Sequence, residues 1–206
     1  MLNFQAIRDT LRPIIHRWFE RPSAAVLVRL GFTANRATIA GLAITCVAAY
    51  FAGTGYFQIA GCLLLLGAVF DLLDGAIARH LGTVGPRGSL MDSVADRISE
   101  SVLLLGLLIY FTSPQTSLQI GSILAFVALI GSLIVSYIRA RAEGLGLEGT
   151  AGFLTRPERV VIAIGALLVN QPLVLLWILA IATPLSAIER FISVWILAGK
   201  SSTNKD

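Results

Sequence analysis

Four aspartates in one short stretch of the chain have the spacing of a metal site. Asp71 and Asp74 are three residues apart and Asp92 and Asp96 are four apart, so each pair shares one face of a helix. A loop of about eight residues would make the two helices antiparallel neighbours and bring the four carboxylates together. Ligand sets made only of oxygen suit hard cations such as Mg²⁺ and Mn²⁺. The sequence therefore predicts a divalent metal site.

Two other chemistries fit these acids less well. A structural network of ion pairs with Arg79 and Arg97 would leave more acids than bases in this stretch. A di-iron site in a helical bundle draws its ligands from glutamate and histidine side chains. Both histidines of the chain, His16 and His80, are badly placed for that purpose.

The elements that must position these acids are apolar helices. Of the 206 residues, 56% are hydrophobic and 14% are charged, and no Asp, Glu, Lys or Arg occurs in residues 37–70, 101–138 or 160–188. A membrane-spanning helix needs ~20 mostly apolar residues, and its backbone polar groups are satisfied internally. Each stretch exceeds one span and has turn-forming residues near its middle, which predicts three helical hairpins. The six spans cover residues 35–53, 57–80, 89–111, 118–141, 157–170 and 173–196.

Residues 3–20 alternate bulky apolar side chains with arginine and histidine at helical spacing. This pattern predicts an amphipathic helix in the membrane interface, with a solvated cap over the bundle as the alternative. Arg21-Pro22-Ser23 is expected to end this helix. The predicted fold is therefore all-α, with six transmembrane helices in one bundle and an N-terminal interfacial helix, forming a single domain over residues 1–206.

The basic residues indicate the orientation. The turns in the middle of the three hairpins are uncharged, whereas arginine and lysine collect at the opposite ends of the spans. Basic residues favour the cytoplasmic side, so both termini and the acidic site are expected there, in the cell membrane. The net charge of +4 does not predict nucleic-acid binding, because no solvated basic domain exists to carry it.

Small residues and one arginine lie beside the acids. Gly75 and Ala78 adjoin the face of Asp71 and Asp74, where missing bulk lets a phosphorylated ligand approach the helix. Arg79 ends that helix with a fork suited to phosphate, and Gly88 is expected to begin the next helix. Close packing of helices is the alternative explanation for both glycines.

The order Asp-x-x-Asp-Gly-x-x-Ala-Arg, eight residues, Gly-x-x-x-Asp-x-x-x-Asp resembles the signature of the CDP-alcohol phosphotransferase family at all eight positions. One departure is Thr33-Ala34-Asn35, where members commonly have Thr-Pro-Asn. By resemblance, the chain is a membrane-bound homodimer that transfers a group from a CDP-linked lipid, usually CDP-diacylglycerol, to an alcohol with release of CMP and with two Mg²⁺ or Mn²⁺ ions. The implied metal ligands are Asp71, Asp74, Asp92 and Asp96, with Asp96 also the general base, and the implied CDP-lipid contacts are Gly75, Ala78, Arg79 and Gly88.

Residues outside the signature indicate the acceptor. Arg190 lies in an otherwise apolar span, where an arginine calls for an anionic partner. With Arg139 and Arg159 it predicts a cationic pocket for a phosphorylated acceptor. The tracts around Arg139 and residues 156–159 resemble bacterial family members that use inositol phosphate, although those often have lysine where this chain has Arg139. By that resemblance the inositol-phosphate contacts are Ser136, Arg139, Arg159 and Arg190.

Three alternatives stay open at the level of sequence. Family members that make phosphatidylglycerol phosphate also use a phosphorylated acceptor, and arginines do not exclude them. An archaeal relative acting on CDP-archaeol is the second, because no identified residue recognises the lipid tails. A divalent-cation transporter is the third, but it would need acids across the membrane depth, whereas these four lie toward one end.

Overall fold

The computed structural model describes residues 20–114, 116, 118–147 and 154–203. No strand occurs in these residues, so the predicted all-α fold is confirmed for the described part of the chain. In chain order, its helices are α1 Arg21–Arg29, α2 Ala34–Gly53, α3 Phe57–Leu81, α4 Pro86–Thr112, α5 Ile120–Gly144, α6 Arg156–Leu168 and α7 Pro172–Thr203.

Helices α2 to α7 correspond to the six predicted spans and begin within three residues of the predicted positions. Among the described residues, α2, α3, α5 and α7 are long and apolar enough to cross a membrane, which indicates a membrane protein. Helix α4 carries several charges in its first half, and α6 has only 13 residues. The count of six spans therefore stays a prediction, and the predicted interfacial helix over residues 3–20 lies outside the described part except for Glu20.

Helix α1 begins where the sequence was expected to end a helix, at Arg21-Pro22-Ser23. A proline in the first helical turn gives up no intrahelical hydrogen bond, so the same tripeptide can begin a helix. Ala24 of α1 packs in a small buried cluster with Ala37 of α2 and Ile77 of α3. The added helix thus contributes to the core around the acidic stretch.

The connection between α3 and α4 is shorter than predicted, because only residues 82–85 separate the two helices. Gly82 has a φ of +66°, a conformation that glycine adopts without the steric cost of a Cβ, and it ends α3 abruptly. Pro86 then takes the first helical position. Gly88 consequently lies inside the first turn of α4 and does not begin it.

The described chain divides into two compact units. The first holds its residues up to Thr45 together with Leu64–Ser99, and the second holds Cys46–Leu63 together with the residues from Glu100 onward. Helices α2, α3 and α4 each contribute to both units. The single domain predicted for residues 1–206 stays a prediction.

Within each unit, glycines set how closely two helices approach. In the first unit, a methyl group added at Gly41 of α2 would lie 3.1 Å from the carbonyl oxygen of Gly67 on α3. In the second unit, a methyl group at Gly106 of α4 would collide with the carbonyl oxygen of Ala49 on α2. These contacts between backbones leave no room for a side chain, so the helix pairs depend on glycine.

We predict that Gly106→Ala destabilises the protein, because the helices must separate to admit one methyl group. Overpacking of this kind costs about 1–3 kcal/mol, which should lower the midpoint of thermal unfolding in detergent. Gly165→Ala is the matched control, since Gly165 is exposed on α6 with no neighbouring atom within 4 Å of the added methyl. Alanine is the better helix former by about 1 kcal/mol, so this midpoint should hold or rise. Equal midpoints for the two variants would contradict the close contact.

Candidate metal centre and active site

Three of the four predicted acids meet in the first unit. Asp71 and Asp74 of α3 and Asp92 of α4 each offer a carboxylate oxygen, and these oxygens lie within 4.8 Å of one another. Asp74 is buried, and the other two are half-buried. The predicted convergence of two neighbouring helices is therefore present for these three side chains.

Asp96 follows Asp92 by one helical turn but does not join the group of three among the described residues. Its Oδ2 lies 3.8 Å from a guanidinium nitrogen of Arg97. Its carboxylate is largely shielded from solvent. The assignments of Asp96 as metal ligand and as general base stay predictions.

The chemistry of the three donors fits a hard divalent cation. All three are carboxylates, and oxygen ligands are those that Mg²⁺ and Mn²⁺ prefer. Like charges this close repel one another, and the repulsion grows as water is excluded. A bound cation relieves that repulsion, so the residues present suit the metal that the sequence predicts.

Thr38 is a contact to this group that sequence reasoning missed. Its hydroxyl lies 2.6 Å from Oδ2 of Asp74 and donates to it, and both side chains are buried. Carboxylates that ligate metals are commonly oriented by hydrogen bonds of this kind. The available signal was a hydroxyl near the start of a predicted apolar span, five residues after the Thr33-Ala34-Asn35 tract starts.

Within the described residues, the glycines beside the acids make no close contact with a second helix. The nearest atom to a methyl group added at Gly75 would be Nη1 of Arg79, at 3.3 Å, so the arginine side chain lies back over the glycine. A methyl group at Gly88 would meet no described atom within 4 Å. Ala78 is half-buried between them in the sequence. Both glycines therefore leave space beside the acids, as a bound ligand requires.

Arg79 is held by a residue that the sequence analysis did not single out. Its Nη2 donates to Oε2 of Glu20 at 2.8 Å, and Glu20 is buried while the arginine side chain stays about half exposed, at 53%. The pair fixes one end of the guanidinium fork and leaves the other over Gly75. Arg79 thus contacts Glu20 and not the group of three aspartates.

The four acceptor candidates all lie in the second unit, in two kinds of environment. Arg159 and Arg190 are buried, with 3% and 4% of their surface exposed. Arg139 is exposed and pairs with Glu143 one turn along α5, at 2.8 Å. Ser136 is half-buried and donates to the carbonyl oxygen of Ser132 within the same helix, at 2.9 Å.

The two buried arginines have different partners. Arg190 of α7 donates to the carbonyl oxygen of Val135 on α5 at 3.1 Å. Arg159 of α6 binds Glu100 of α4 through two hydrogen bonds, from Nε at 2.6 Å and from Nη2 at 2.8 Å. Such paired, charge-assisted hydrogen bonds are strong and directional.

Sequence reasoning also missed Glu100. It continues the four-residue spacing of Asp92 and Asp96 along α4, and it is the last charge before the uncharged stretch of residues 101–138. That spacing was a usable signal, but the recognised signature ends at Asp96. The partner of Glu100 is 59 residues away in sequence, so only the folded chain reveals the pair.

The chain matches the family model described as CDP-alcohol phosphatidyltransferase over residues 32–195, which include every predicted site residue. Phosphatidylinositol phosphate synthase of Mycobacteroides abscessus is 35% identical over 183 residues, covering 84% of this chain and 82% of the relative. Archaetidylinositol phosphate synthase of Pyrococcus horikoshii is 36% identical over 188 residues, covering 87% of this chain and 92% of the relative.

Crystal structures of phosphatidylinositol phosphate synthase from Mycobacterium tuberculosis share the fold. The complex with manganese and citrate aligns with a TM-score of 0.80 at 32% identity, covering 86% of this chain and 89% of that one. The structure with CDP-DAG bound aligns with a TM-score of 0.79 at 32% identity, covering 86% of this chain and 94% of that one.

We predict that Thr38→Val weakens metal binding, because Asp74 loses the hydrogen bond that orients it. Loss of such a partner typically costs about 10–100-fold in metal affinity. Titration of the detergent-solubilised protein with Mn²⁺, followed by the electron spin resonance of the free ion, measures the change. Thr38→Ser keeps the hydroxyl and should bind Mn²⁺ nearly as wild type does, whereas Asp92→Asn should lose most binding. Wild-type affinity in Thr38→Val would show that Asp74 needs no support from α2.

Proposed function

Because the chain belongs to the CDP-alcohol phosphatidyltransferase family, we propose that it transfers the phosphatidyl group of CDP-diacylglycerol to inositol phosphate, releasing CMP and phosphatidylinositol phosphate. The observation that carries this proposal is the group of three carboxylates on α3 and α4, within 4.8 Å of one another. Support for the donor comes from the mycobacterial relative solved with CDP-DAG bound. Support for the acceptor comes from relatives named phosphatidylinositol phosphate synthase.

The three acids are the residues that would hold the metal. Asp71, Asp74 and Asp92 would bind Mg²⁺ or Mn²⁺, two ions in all with Asp96 as a further ligand. When bound, such ions neutralise the charge of the diphosphate and of the departing CMP. Thr38 keeps the buried Asp74 in one orientation before any ligand arrives. The relative solved with manganese supports this choice of metal.

Asp96 is proposed to accept the proton of the attacking hydroxyl. The acceptor oxygen forms a bond to the β-phosphorus of CDP-diacylglycerol, and the bond from that phosphorus to the oxygen of CMP breaks. The proton passes to a carboxylate oxygen of Asp96. Aspartate is a weak base for an alcohol, so most of the rate must come from positioning and electrostatic stabilisation.

The donor contacts are assigned to the residues around Arg79. Gly75 and Gly88 leave the space in which a diphosphate can approach the helices, and Ala78 is the small residue between them in the signature. Arg79 has one nitrogen fixed by Glu20, which orients the remaining N–H donors of the fork. An arginine fork matches phosphate oxygens better than a single ammonium does.

The acceptor contacts are assigned to Ser136, Arg139, Arg159 and Arg190 in the second unit. Burial of Arg190 raises the strength of its interaction with an anion, because little water screens it. Arg139 is exposed and can move, since an exposed ion pair such as that with Glu143 contributes about 0–1 kcal/mol. These four residues would supply the donors that the phosphate group of inositol phosphate needs.

The membrane topology completes the proposal. Six spans, an interfacial helix over residues 3–20 and a cytoplasmic site follow from the charge pattern. A homodimer follows from the family resemblance. With this topology, the headgroup of the membrane-bound donor and the water-soluble acceptor would meet at the cytoplasmic surface of the membrane.

A relative from an archaeon supports a second candidate for the donor. The similarity to archaetidylinositol phosphate synthase at 36% identity favours the same acceptor with an archaeal ether lipid in place of diacylglycerol. The site residues are assigned to metal ions and phosphate groups, and none of them is assigned to the lipid tails. CDP-archaeol is therefore the donor to compare with CDP-diacylglycerol.

An acceptor panel tests the proposal directly. Purified enzyme with CDP-diacylglycerol and Mg²⁺ should release CMP with inositol phosphate and stop in excess chelator. Free inositol lacks the phosphate and with it a charge-assisted contact of roughly 1.5–3 kcal/mol, so its kcat/KM should be about ten- to hundredfold lower. Faster release with glycerol phosphate would reassign the enzyme to phosphatidylglycerol-phosphate synthesis, and faster release with CDP-archaeol would reassign the donor.

Asp96→Asn should lower kcat strongly, because an amide cannot accept the proton. A positioned general base contributes about 10²–10⁴-fold. Binding of CDP-diacylglycerol, measured by calorimetry in detergent, should change little. Retention of more than about a tenth of wild-type kcat, well above that range, would remove Asp96 from the chemistry.

Arg190→Ala should raise the KM for inositol phosphate by about ten- to hundredfold, the equivalent of one charge-assisted contact. The KM for CDP-diacylglycerol should stay near its wild-type value. Arg190→Lys keeps the charge and guards against misfolding, but it should rescue only in part because an ammonium cannot bind phosphate through two nitrogens. An effect confined to the donor would assign Arg190 to CDP-diacylglycerol.

A further inference from the structure

Glu100 lies at the centre of a buried polar network in the second unit. It accepts two hydrogen bonds from Arg159 of α6 and one from the hydroxyl of Ser132 on α5, at 2.9 Å. Arg159 also donates from Nη1 to the carbonyl oxygen of Leu154, at 3.2 Å. The amide of Leu154 in turn donates to the hydroxyl of Ser186 on α7, at 3.3 Å. Helices α4, α5 and α6 thus meet at one carboxylate and one guanidinium, and α7 is linked to them through the backbone of Leu154.

These contacts use only part of the hydrogen-bonding capacity of Arg159 within the described residues. A guanidinium has five N–H donors. Within the described residues, Glu100 takes the donor on Nε and one on Nη2, and Leu154 takes one on Nη1. One donor remains on each terminal nitrogen. Two such donors are the arrangement that grips a phosphate through two oxygens.

Stability alone is a poor explanation for this pair. Removing two charges from water costs about as much as their attraction returns, so apolar residues of the same volume often stabilise a fold equally well. The pair does one thing that apolar residues cannot do, because it fixes the rotation of the Arg159 side chain. The network around Leu154 also holds the chain at the start of α6, where Arg159 is attached.

We propose that Glu100 is a positioning residue for the acceptor: it holds Arg159 so that two N–H donors face the phosphate of the acceptor alcohol. This inference rests on the proposed function of Arg159. Glu100 touches no substrate itself. With its carboxylate in place the pair carries no net charge, so the acceptor is recognised by the direction of two hydrogen bonds more than by charge.

Glu100→Gln separates positioning from the other roles that this residue could have. Glutamine has the same shape, but its amide nitrogen faces a donor of Arg159, so the side chain of Arg159 is released. We expect the KM for inositol phosphate to rise by about tenfold or more, the loss of one charge-assisted hydrogen bond, with the KM for CDP-diacylglycerol within about twofold, below the effect of a single lost hydrogen bond. Ser132→Ala, a milder change, should raise the acceptor KM in the same direction by a smaller factor and covers the case in which Glu100→Gln does not fold.

The direction in which the KM for inositol phosphate changes in Glu100→Gln separates positioning from a mere weakening of the charge of Arg159. If Glu100 only weakened the positive charge of Arg159, its removal would lower the KM for inositol phosphate, and the inference would be wrong. If it served only stability, the thermal midpoint would fall with both KM values unchanged. Thr183→Val is the control for that case, because it removes a buried hydroxyl that bonds to backbone carbonyls of α5 and α7 without touching Arg159.

Wild-type enzyme in the acceptor panel keeps the two proposals apart. If it prefers glycerol phosphate, the proposed function fails, and the KM comparison for Glu100→Gln is then made with that phosphorylated acceptor. If it uses inositol phosphate while Glu100→Gln keeps the wild-type acceptor KM, the inference about Glu100 fails alone.

Discussion

Repulsion among three carboxylates is the constraint on which the first unit depends. At 4.8 Å, the upper limit of the distances between the three oxygens, a pair of like charges would cost roughly 3 kcal/mol at an effective dielectric constant of about 20. Three such pairs add to a cost that nearby opposite charge can offset. Solvent at the half-buried Asp71 and Asp92 screens part of this repulsion, whereas the burial of Asp74 reduces the screening. A divalent cation bound between the three carboxylates would therefore stabilise this arrangement by offsetting their repulsion.

The helix packing of this unit serves the same three side chains. On α2, Thr38, Gly41 and Thr45 follow one another at intervals of three and four residues and so share one face. Gly41 and Gly67 bring the backbones of α2 and α3 together, and the same face carries the hydroxyl of Thr38 to Asp74. A single side chain at either glycine would move the orienting hydroxyl away from the carboxylate. The orientation of Asp74 thus depends on the close packing of α2 against α3.

The sequence predicted the helices and the acids well because both depend on local signals. Long uncharged stretches with turn-forming residues near their middles placed α2 to α7, and helical spacing placed Asp71, Asp74 and Asp92 on converging faces. Helix α1 escaped prediction because proline can end one helix or begin another. The contacts of Thr38 and Glu100 escaped because they depend on which helices meet, and neither hydrogen bond joins residues closer than 30 positions in sequence.

The two units treat buried charge in opposite ways, and each way suits its proposed ligand. The acids of the first unit bring like charges together, which favours the binding of cations. Bound cations would in turn bind the diphosphate of the donor. The second unit pairs Arg159 with Glu100 inside the protein, so this pair carries no net charge before any ligand arrives. A neutral, fixed pair does not attract every anion, and it offers donors only in one direction. Preorganised donors of this kind need no rearrangement when charge arrives, which is the property that recognition of one phosphorylated alcohol among many anions requires.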